Sequence, residues 1–173
     1  NGKVRGRDKV TLETWVQTAY FDRIIAYANR RLTHMSRQQY DLARQIVGEA
    51  SKQSKTGLGL DVVDHANGQR RPIGTLSGGE GFLAALSFAL GLSDAIQDSA
   101  ASAVQLDAMF VDEGFGSLSE NYLTLVMDEL NDTANDGHRL IGIISHVDEV
   151  KEGIDRRIEV TKSASGISTA EIH

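Results

Sequence analysis

Apolar residues recur at helical spacing near the beginning of the chain, over residues 11–37. Five of them follow one another at intervals of four, three, four and three residues: Phe21, Ile25, Ala28, Leu32 and Met35. This spacing places them on one face of a helix, and Thr11 and Glu13 are residue types that favour a helix N-terminus. The pattern predicts either an amphipathic helix packed on the domain or the root of a longer coiled coil.

Two short segments after this helix have the character of strands. They span residues 40–50 and 59–66 and are separated by the polar segment 51–56, which predicts a hairpin loop between them. Residues 69–75, which hold the only proline, predict a loop.

The second half of the chain alternates between helical and extended patterns. A strongly apolar segment ending near Gln97 predicts a helix that is buried on nearly all sides. Short apolar runs at residues 108–111 and 140–144 predict central buried strands, and residues 121–133 between them predict a helix. Strands that alternate with helices are typical of an α/β fold with a mostly parallel sheet.

The end of the chain predicts a short helix and a closing hairpin. Residues 147–152 favour the helix, and residues 156–161 and 167–172 favour two strands joined at Ser165 and Gly166.

The formal net charge of −6 is unevenly distributed along the chain. Residues 1–44 hold nine Lys and Arg against four Asp and Glu, a net +5, whereas residues 45–173 hold nine against twenty, a net −11. The basic part is either a solvated helix face or a nucleic-acid patch. The acidic remainder argues against broad phosphate binding on its own surface.

The sequence contains no cysteine, which excludes disulfides, thiolate zinc sites and cysteine nucleophiles. This composition fits a reducing compartment, and we expect a cytoplasmic protein. The lengths of the apolar runs predict no membrane-spanning segment, so no membrane association is expected. The first four residues, Asn1-Gly2-Lys3-Val4, do not resemble a native start, and we expect a fragment of a longer protein.

The segment 76–80, Leu-Ser-Gly-Gly-Glu, stands directly before the apolar helix. Gly78 and Gly79 let the backbone approach a ligand closely, and a helix N-terminus offers unpaired N–H groups and a partial positive charge. Ser77 adds a hydroxyl donor. Together these groups suit a terminal phosphate, although Ser77 as a simple N-cap before a glycine turn explains the same residues.

Two acids, Asp112 and Glu113, follow the strand predicted over residues 108–111. Ligand sites in open α/β sheets lie beyond the carboxyl ends of the strands. Asp112 would help to hold hydrated Mg²⁺ beside substrate phosphates, and Glu113 would orient and polarise an attacking water. The alternative is a solvated strand end that happens to be acidic.

A glycine-containing loop and a histidine complete the candidate residues. The loop Gly116-Ser117-Leu118 comes directly after the acids, where an ordinary strand-to-helix loop with Ser119 as the helix cap is the alternative. His146 follows the strand predicted over residues 140–144, and an imidazole there can donate to a phosphate oxygen.

Taken in order, these motifs resemble the second half of an ATP-binding-cassette ATPase. Segment 76–80 is similar to the signature of that family, segment 109–113 to its Walker B strand, Gly116-Ser117-Leu118 to its D-loop and His146 to its switch histidine.

The run Asp-Glu-Gly-Phe-Gly at residues 112–116 is more narrowly similar to SbcC and its eukaryotic break-repair counterparts. The resemblance covers about residues 12–171. Ser119 stands where many relatives have Asp, and Gly81 stands where signatures often have a basic or polar residue. Roles that need those side chains therefore do not carry over.

A phosphate-cradling Walker A loop, Gly-x-x-x-x-Gly-Lys-Ser/Thr, is absent from the sequence. The pair Lys55-Thr56 is preceded by Glu49 and Ser54 where the two glycines are needed. The SbcC resemblance implies that this loop lies in an N-terminal lobe of the same protein, across a long coiled coil. Residues 1–37 would then be the returning coiled-coil root and residues 38–173 the C-terminal lobe of the ATPase head.

The resemblance also implies a mechanism. Two heads would form a homodimer around two ATP molecules, and three residues of one head would contact the γ-phosphate held by the other: Ser77, Gly78 and Gly79. Asp112, through water and Mg²⁺, and Glu113 and His146 would act on the nucleotide of their own head. Hydrolysis would open the dimer and change how an SbcD-type nuclease subunit reaches DNA.

Three other classes of protein remain as alternatives. One is an SMC-type chromosome-organising head without a nuclease partner, and a second is a recombination-mediator ATPase with a short or different coiled coil. An α/β domain that binds no nucleotide would require all four motifs to be coincidental. Since this chain lacks the Lys-bearing loop, we expect it to be inactive in the absence of the other lobe.

Overall fold

The computed structural model describes residues 12–45, 58–99, 106–137 and 139–173, and these residues fall into two compact units, residues 1–107 and 108–173. The first unit contains α1 (Leu12–Met35), β1 (Tyr40–Arg44), β2 (Leu60–Asp64), β3 (Gln69–Pro72), a 3₁₀ turn (Ile73–Thr75) and α2 (Gly78–Gln97). The second unit contains β4 (Ala108–Asp112), a 3₁₀ turn (Phe115–Ser117), α3 (Glu120–Gly137), β5 (Leu140–Ile144), α4 (Asp148–Glu152), β6 (Ile158–Lys162) and β7 (Ser168–Ile172).

The core of the first unit lies between α1 and α2. Four residues of the apolar stripe predicted from the sequence are buried: Ile25, Ala28, Leu32 and Met35. Ile24 is buried beside them, and Phe21, the first residue of the stripe, is half-buried. The N-terminal half of α1 is open, and Leu12 and Trp15 are exposed there. Thr11, the expected cap, lies outside the described residues.

A small-residue contact sets the distance between the two helices. A Cβ atom on Gly91 of α2 would lie only 2.5 Å from the backbone nitrogen of Ala28 in α1. Only glycine therefore permits this approach, because a real Cβ atom does not come so close to a backbone atom. Further along the crossing, the guanidinium of Arg31 pairs with Asp94 at 2.8 Å.

The sheet of the first unit is antiparallel, in the order β1-β2-β3. Asn29 of α1 holds the first strand through two hydrogen bonds to the backbone of Leu42. Its side chain accepts from the Leu42 N–H at 2.7 Å and donates to the Leu42 carbonyl at 2.9 Å. The expected strands are thus confirmed over Tyr40–Arg44 and Leu60–Asp64, while residues 46–50 and the expected hairpin loop at residues 51–56 lie outside the described residues.

The expectation of a loop over residues 69–75 is wrong for its first part, because Gln69–Pro72 forms the edge strand β3. The strand carries polar rather than alternating apolar residues. Its charged side chains pair instead with β2: Arg70 with Asp61 at 2.8 Å and Arg71 with Asp64 at 3.7 Å. Pro72 ends the strand, a position where its missing N–H is tolerated.

The apolar composition of α2 reflects its packing on α1. Leu83, Leu86 and Leu90 are buried, but Ala85 and Ala89 are exposed, so the expectation of burial on nearly all sides is wrong for one face. The expectation that no apolar run could span a membrane is also wrong, since α2 meets that criterion by length and composition. The core helix of a folded domain meets the same criterion.

The second unit is built around one parallel strand pair. β4 pairs with β5, so that Ala108 faces Leu140 and Asp112 faces Ile144. The buried apolar side chains of the described residues come from the segments that follow and flank these strands: Phe115, Leu123, Val126, Leu130 and Val150. The α/β class is confirmed, with the parallel pair in this unit and antiparallel pairing in the other two sheets.

The expectation that β4 and β5 are buried central strands is wrong for the described chain. Phe110 is 69% exposed, Leu140 64% and Ile144 54%. The expected positions of the strands are confirmed, but the described residues leave one face of the strand pair uncovered, while Met109, Val111, Ile141 and Ile143 on the other face are half-buried. The Phe110 ring lies against Gly142, its partner in register, where a Cβ atom would collide with it.

The closing hairpin is confirmed as β6 and β7, which pair antiparallel around a turn with Gly166 at φ +85°. Its two faces differ in chemistry. One face carries Ile158 and Val160 with Ile172 opposite, all exposed, and the other carries Glu159.

The close approach of α1 and α2 leads to a first prediction. Gly91→Ala is expected to destabilise the chain by about 1–3 kcal/mol, because the added methyl group forces the helices apart. The matched control is Gly81→Ala in the same helix, where the new methyl group would have nothing within 4 Å apart from the adjacent residues and the backbone of its own helix. That change is expected to stabilise the helix by about 0.5–1 kcal/mol. Urea unfolding followed by circular dichroism measures both; equal effects of the two changes would contradict the packing account.

Candidate functional site

The candidate residues form two groups, one in each compact unit. Ser77, Gly78 and Gly79 lie at the start of α2, in the first unit. The acids, the glycine loop and His146 lie in the second unit, at the ends of β4 and β5. Each group is described by itself.

A capping box organises the start of α2. Ser77 is extended, with φ −64° and ψ 167°, and its Oγ accepts from the Glu80 N–H at 3.4 Å. The carboxylate of Glu80 reaches back and accepts from the Ser77 N–H at 2.9 Å through Oε2. The interpretation of Ser77 as an N-cap is therefore confirmed. A cap of this kind contributes about 1 kcal/mol to helix stability.

Capping does not exhaust the hydrogen-bonding capacity of this segment. The Ser77 hydroxyl accepts one bond and still has its own proton to donate. Gly78 and Gly79 occupy the first two helical positions, where the helix offers no carbonyl to their N–H groups. Ser77 and Gly78 are exposed, so the helix N-terminus presents donors and partial positive charge to solvent, as anion binding requires.

Tyr40, a residue of β1 that the sequence did not point to, contacts the capping box. Its hydroxyl donates to Glu80 Oε1 at 2.6 Å. This bond lowers the pKa of Glu80 below its ordinary value. The same bond raises the pKa of its other partner, Tyr40, to about 12. The two residues are 40 positions apart in the chain, and no local pattern connects them.

The two acids lie at the carboxyl end of β4. Asp112 is the last residue of the strand and faces Ile144 of β5 in the parallel register. The next residue, Glu113, donates its N–H to the Ile144 carbonyl at 2.9 Å, which holds the chain against β5 for one residue beyond the strand. The sequence expectation that these acids lie at strand ends is confirmed.

The backbone turns sharply at Glu113. Its φ is +60°, and Gly114 follows with φ +99°. A left-handed conformation is uncommon and costly for a residue with a side chain, and such residues concentrate at functional sites. The turn takes the Glu113 side chain out of the strand alternation.

His146 meets Glu113 across the ends of the two strands. The imidazole Nδ1 lies 2.9 Å from Glu113 Oε2 and 3.3 Å from Oε1. The two side chains remain 77% and 53% exposed, so both are open to a ligand. The parallel register of β4 and β5 produces this contact between residues that are 33 positions apart.

The loop Gly116-Ser117-Leu118 packs beside the same pair. Phe115 anchors it in the core, and the Ser117 hydroxyl donates to the Gly114 carbonyl at 2.7 Å. A Cβ atom on Gly116 would lie 3.9 Å from Nε2 of His146, in ordinary contact. α3 begins at Glu120, directly after Ser119, as expected for a helix start.

The donor set suits a magnesium ion that is held mainly by water and substrate. Among the residues that the structure describes, no three His, Asp or Glu side chains gather into a preformed metal site. Mg²⁺ in phosphate-handling sites is commonly held by one or two carboxylates together with phosphate oxygens and water. The exposed carboxylate of Asp112 fits that role.

Comparison with known proteins relates the chain to one family. Residues 53–132 match the family described as SbcC/RAD50-like, Walker B motif. The chain is 43% identical over 157 residues to the C subunit of nuclease SbcCD from Staphylococcus saprophyticus, covering 91% of this chain and 15% of that protein. It is 44% identical over 168 residues to the corresponding SbcCD protein of Vibrio cholerae, covering 96% of this chain and 16% of that protein. The chain thus spans about a sixth of the length of these relatives.

Solved structures with the same fold come from SMC proteins. One, from a study of ATP-driven dimerization and DNA-stimulated activation of SMC ATPases, has a TM-score of 0.68 at 18% identity and covers 92% of this chain and 89% of its own. The Smc head domain of Pyrococcus furiosus, with an extended coiled coil and bound to the C-terminal domain of ScpA, has a TM-score of 0.65 at 18% identity and covers 93% of this chain and 37% of its own. At this identity the likeness shows the fold alone.

The bond between Tyr40 and Glu80 leads to a prediction about pH. The folded state raises the pKa of Tyr40 from an ordinary value of 10.0 to about 12. The stability this contributes is full below pH 10 and is lost as the pH rises towards 12, because the unfolded state releases the proton first. Unfolding measured across this window should show a decline that Tyr40→Phe reduces. An identical decline in both proteins would contradict the contact.

Proposed function

The chain belongs to the SbcC/RAD50-like family, and on that premise we propose that it is the C-terminal lobe of an SbcC-type ATPase head. With a separate lobe that carries the Walker A loop, it would bind and hydrolyse ATP and so control an SbcD-type nuclease in DNA end processing and repair. The observation that carries this proposal is the pairing of Glu113 with His146 at the end of the Walker B strand, 2.9 Å apart and open to solvent.

The need for a second lobe is supported by the sequence and by the surface of the second unit. No Walker A loop occurs in the sequence, and the relatives are about six times longer than this chain. The apolar side chains Phe110, Leu140 and Ile144 on the parallel strands are largely exposed. Apolar surface of this kind is typical of an interface, and we assign it to the N-terminal lobe of the same protein.

The acids of the second unit would act on the nucleotide held by that lobe. Glu113 would accept a proton from the attacking water, for which a carboxylate at a strand end is well placed. His146 would hold the Glu113 carboxylate in position and, through its other ring nitrogen, donate to a phosphate oxygen. Asp112 would contact hydrated Mg²⁺, which neutralises phosphate charge when bound.

The start of α2 would act in trans, on the nucleotide of a second head. The Ser77 hydroxyl and the N–H groups of Gly78 and Gly79 are donors without an acceptor in their own helix. Ser77 and Gly78 are exposed, and Gly79 is half-buried. In a head dimer they would contact the γ-phosphate. The loop Gly116-Ser117-Leu118, next to His146, would form the D-loop at the same dimer interface.

The first helix would be the root of a coiled coil. We assign residues 1–37 to this root and residues 38–173 to the lobe. In the N-terminal half of α1, Leu12, Trp15 and Val16 are spaced as on one helical face and are 77%, 62% and 53% exposed. A second helix of the same protein, running alongside, would cover them.

The nuclease-linked function is favoured over a chromosome-organising SMC head without a nuclease partner. The SMC structures share the fold at 18% identity, whereas the two SbcCD nuclease proteins share 43–44% of residues over more than nine-tenths of this chain. A nuclease of the SbcD type and DNA are therefore the partners that we propose, with ATP and Mg²⁺ as cofactors and the cytoplasm as the location.

The role of Glu113 is tested by Glu113→Gln in the full-length protein. Loss of the catalytic carboxylate is expected to lower the ATP turnover rate by about 100-fold or more. ATP binding is expected to be retained, because the substitution removes a proton acceptor but no contact with a phosphate. Turnover is measured as phosphate release and binding as equilibrium titration. Glu152→Gln, an exposed change at the end of α4, is the matched control. Normal turnover in the Glu113 variant would refute the proposal.

The trans role of Ser77 is tested by two replacements that are isosteric with each other, Ser77→Asn and Ser77→Asp. Both residues cap helices as well as Ser does, so stability is expected to change by only a few tenths of a kcal/mol. Asp also introduces a negative charge facing the phosphate, and ATP-dependent head association should be at least about 10-fold weaker than in the Asn variant. Sedimentation of full-length protein with ATP measures the association. Equal association of the two variants would mean that Ser77 only caps the helix.

A further inference from the structure

The carboxylate of Glu80 creates an electrostatic conflict at the start of α2. Its Oε2 accepts from the Ser77 N–H at 2.9 Å, so a negative charge lies beside the donors that would face a phosphate. Like charges at short range oppose binding. The helix therefore needs the carboxylate for capping and also needs it turned away from the ligand.

Tyr40 meets both requirements. Its hydroxyl donates to the other oxygen, Oε1, at 2.6 Å, so that each carboxylate oxygen has a defined donor. A bond from a neutral hydroxyl to a carboxylate is charge-assisted and stronger than a bond between neutral groups. It fixes the side-chain rotamer of Glu80 and disperses its charge.

The position of Tyr40 is itself set by an unusual turn at the end of α1. Arg37 and Gln38 both have positive φ, +53° and +63°. The buried Ser36 accepts from the Tyr40 N–H at 3.3 Å through its hydroxyl. Left-handed residues with side chains are costly and persist only where the surrounding structure determines their conformation. We infer that this turn, together with the Ser36 bond, positions the start of β1.

The ring of Tyr40 is held on its other side by a second group. The guanidinium of Arg71 lies 5.9 Å from the centre of the ring. The same Arg71 donates to the Thr75 carbonyl at 2.9 Å and to the Thr75 hydroxyl at 2.7 Å, just before the signature segment. Strand β3 and the 3₁₀ turn thereby support the tyrosine.

We propose that Tyr40 is a positioning residue for the signature, which acts through Glu80 to hold Ser77 in the conformation that contacts ATP on the opposite head. The proposal rests on the function proposed above. Tyr40 lies outside the signature motif, and Glu80 lies within it. Under this proposal Glu80 has a structural role that depends on the hydrogen bond from the Tyr40 hydroxyl. Because β1 follows α1 directly, the conformation of the signature also depends on the end of the root helix.

The geometric part of the proposal is tested without nucleotide, by hydrogen exchange of the full-length protein. Tyr40→Phe removes one hydroxyl and keeps the ring over which Arg71 lies. Amide exchange in the peptide that contains Ser77 is expected to accelerate by about 10-fold, because the released carboxylate no longer protects the Ser77 N–H. Tyr20→Phe, the same chemical change at an exposed position of α1, is the matched control. Unchanged exchange at Ser77 in the Tyr40 variant would overturn the proposal.

The functional part is tested by the kinetics of the same variants. Tyr40→Phe is expected to lower kcat by about 10-fold while ATP binding to unassociated heads stays as in the wild type, because the signature acts only in the dimer. In a Glu80→Ala background the same change should have no further effect, since the residues act as one unit. A normal kcat in Tyr40→Phe, with Glu113→Gln inactive, would overturn this inference and leave the proposed function standing. An additive loss in the double variant would show that Tyr40 does not act through Glu80.

Discussion

The packing of Gly91 on the backbone of Ala28 is the contact on which the first unit depends. It lets α2 lie directly against α1, so that the apolar side chains of both helices form one core. The N-terminus of the same helix α2 carries the capping box of Ser77 and Glu80. A phosphate-binding helix N-terminus needs rigid support because its N–H groups contribute only when they converge on the ligand.

In the second unit, the register of two parallel strands brings the candidate residues Glu113 and His146 together. Parallel pairing of β4 and β5 places both carboxyl ends at one edge, and the left-handed turn at Glu113 directs its carboxylate to His146. Phe110, Leu140 and Ile144 of those strands are largely exposed, and we propose that the N-terminal lobe covers them. Under the proposed function, these acids, the histidine and the loop Gly116-Ser117-Leu118 are what one lobe of a split head would contribute.

Sequence reasoning located most elements because their patterns are local. Helical spacing identified α1, and residues with strong positional preferences, such as Ser77 before two glycines, identified the start of α2. The sequence did not predict β3, because this edge strand is polar and is held by the ion pairs of Arg70 and Arg71. Burial was wrongly expected for β4 and β5, because an apolar composition does not show which part of a protein covers a strand. The contact of Tyr40 with Glu80 was also missed, because it depends on the tertiary fold rather than on a sequence motif.

ATP hydrolysis by this chain, measured alone and after mixing with the N-terminal lobe of the same protein, tests the split head most directly. The account predicts Mg²⁺-dependent turnover only in the mixture, because the chain supplies Glu113 and the signature but no phosphate-binding loop. Turnover by the chain alone at the rate of the mixture would contradict it, since a complete nucleotide site would then lie within these 173 residues.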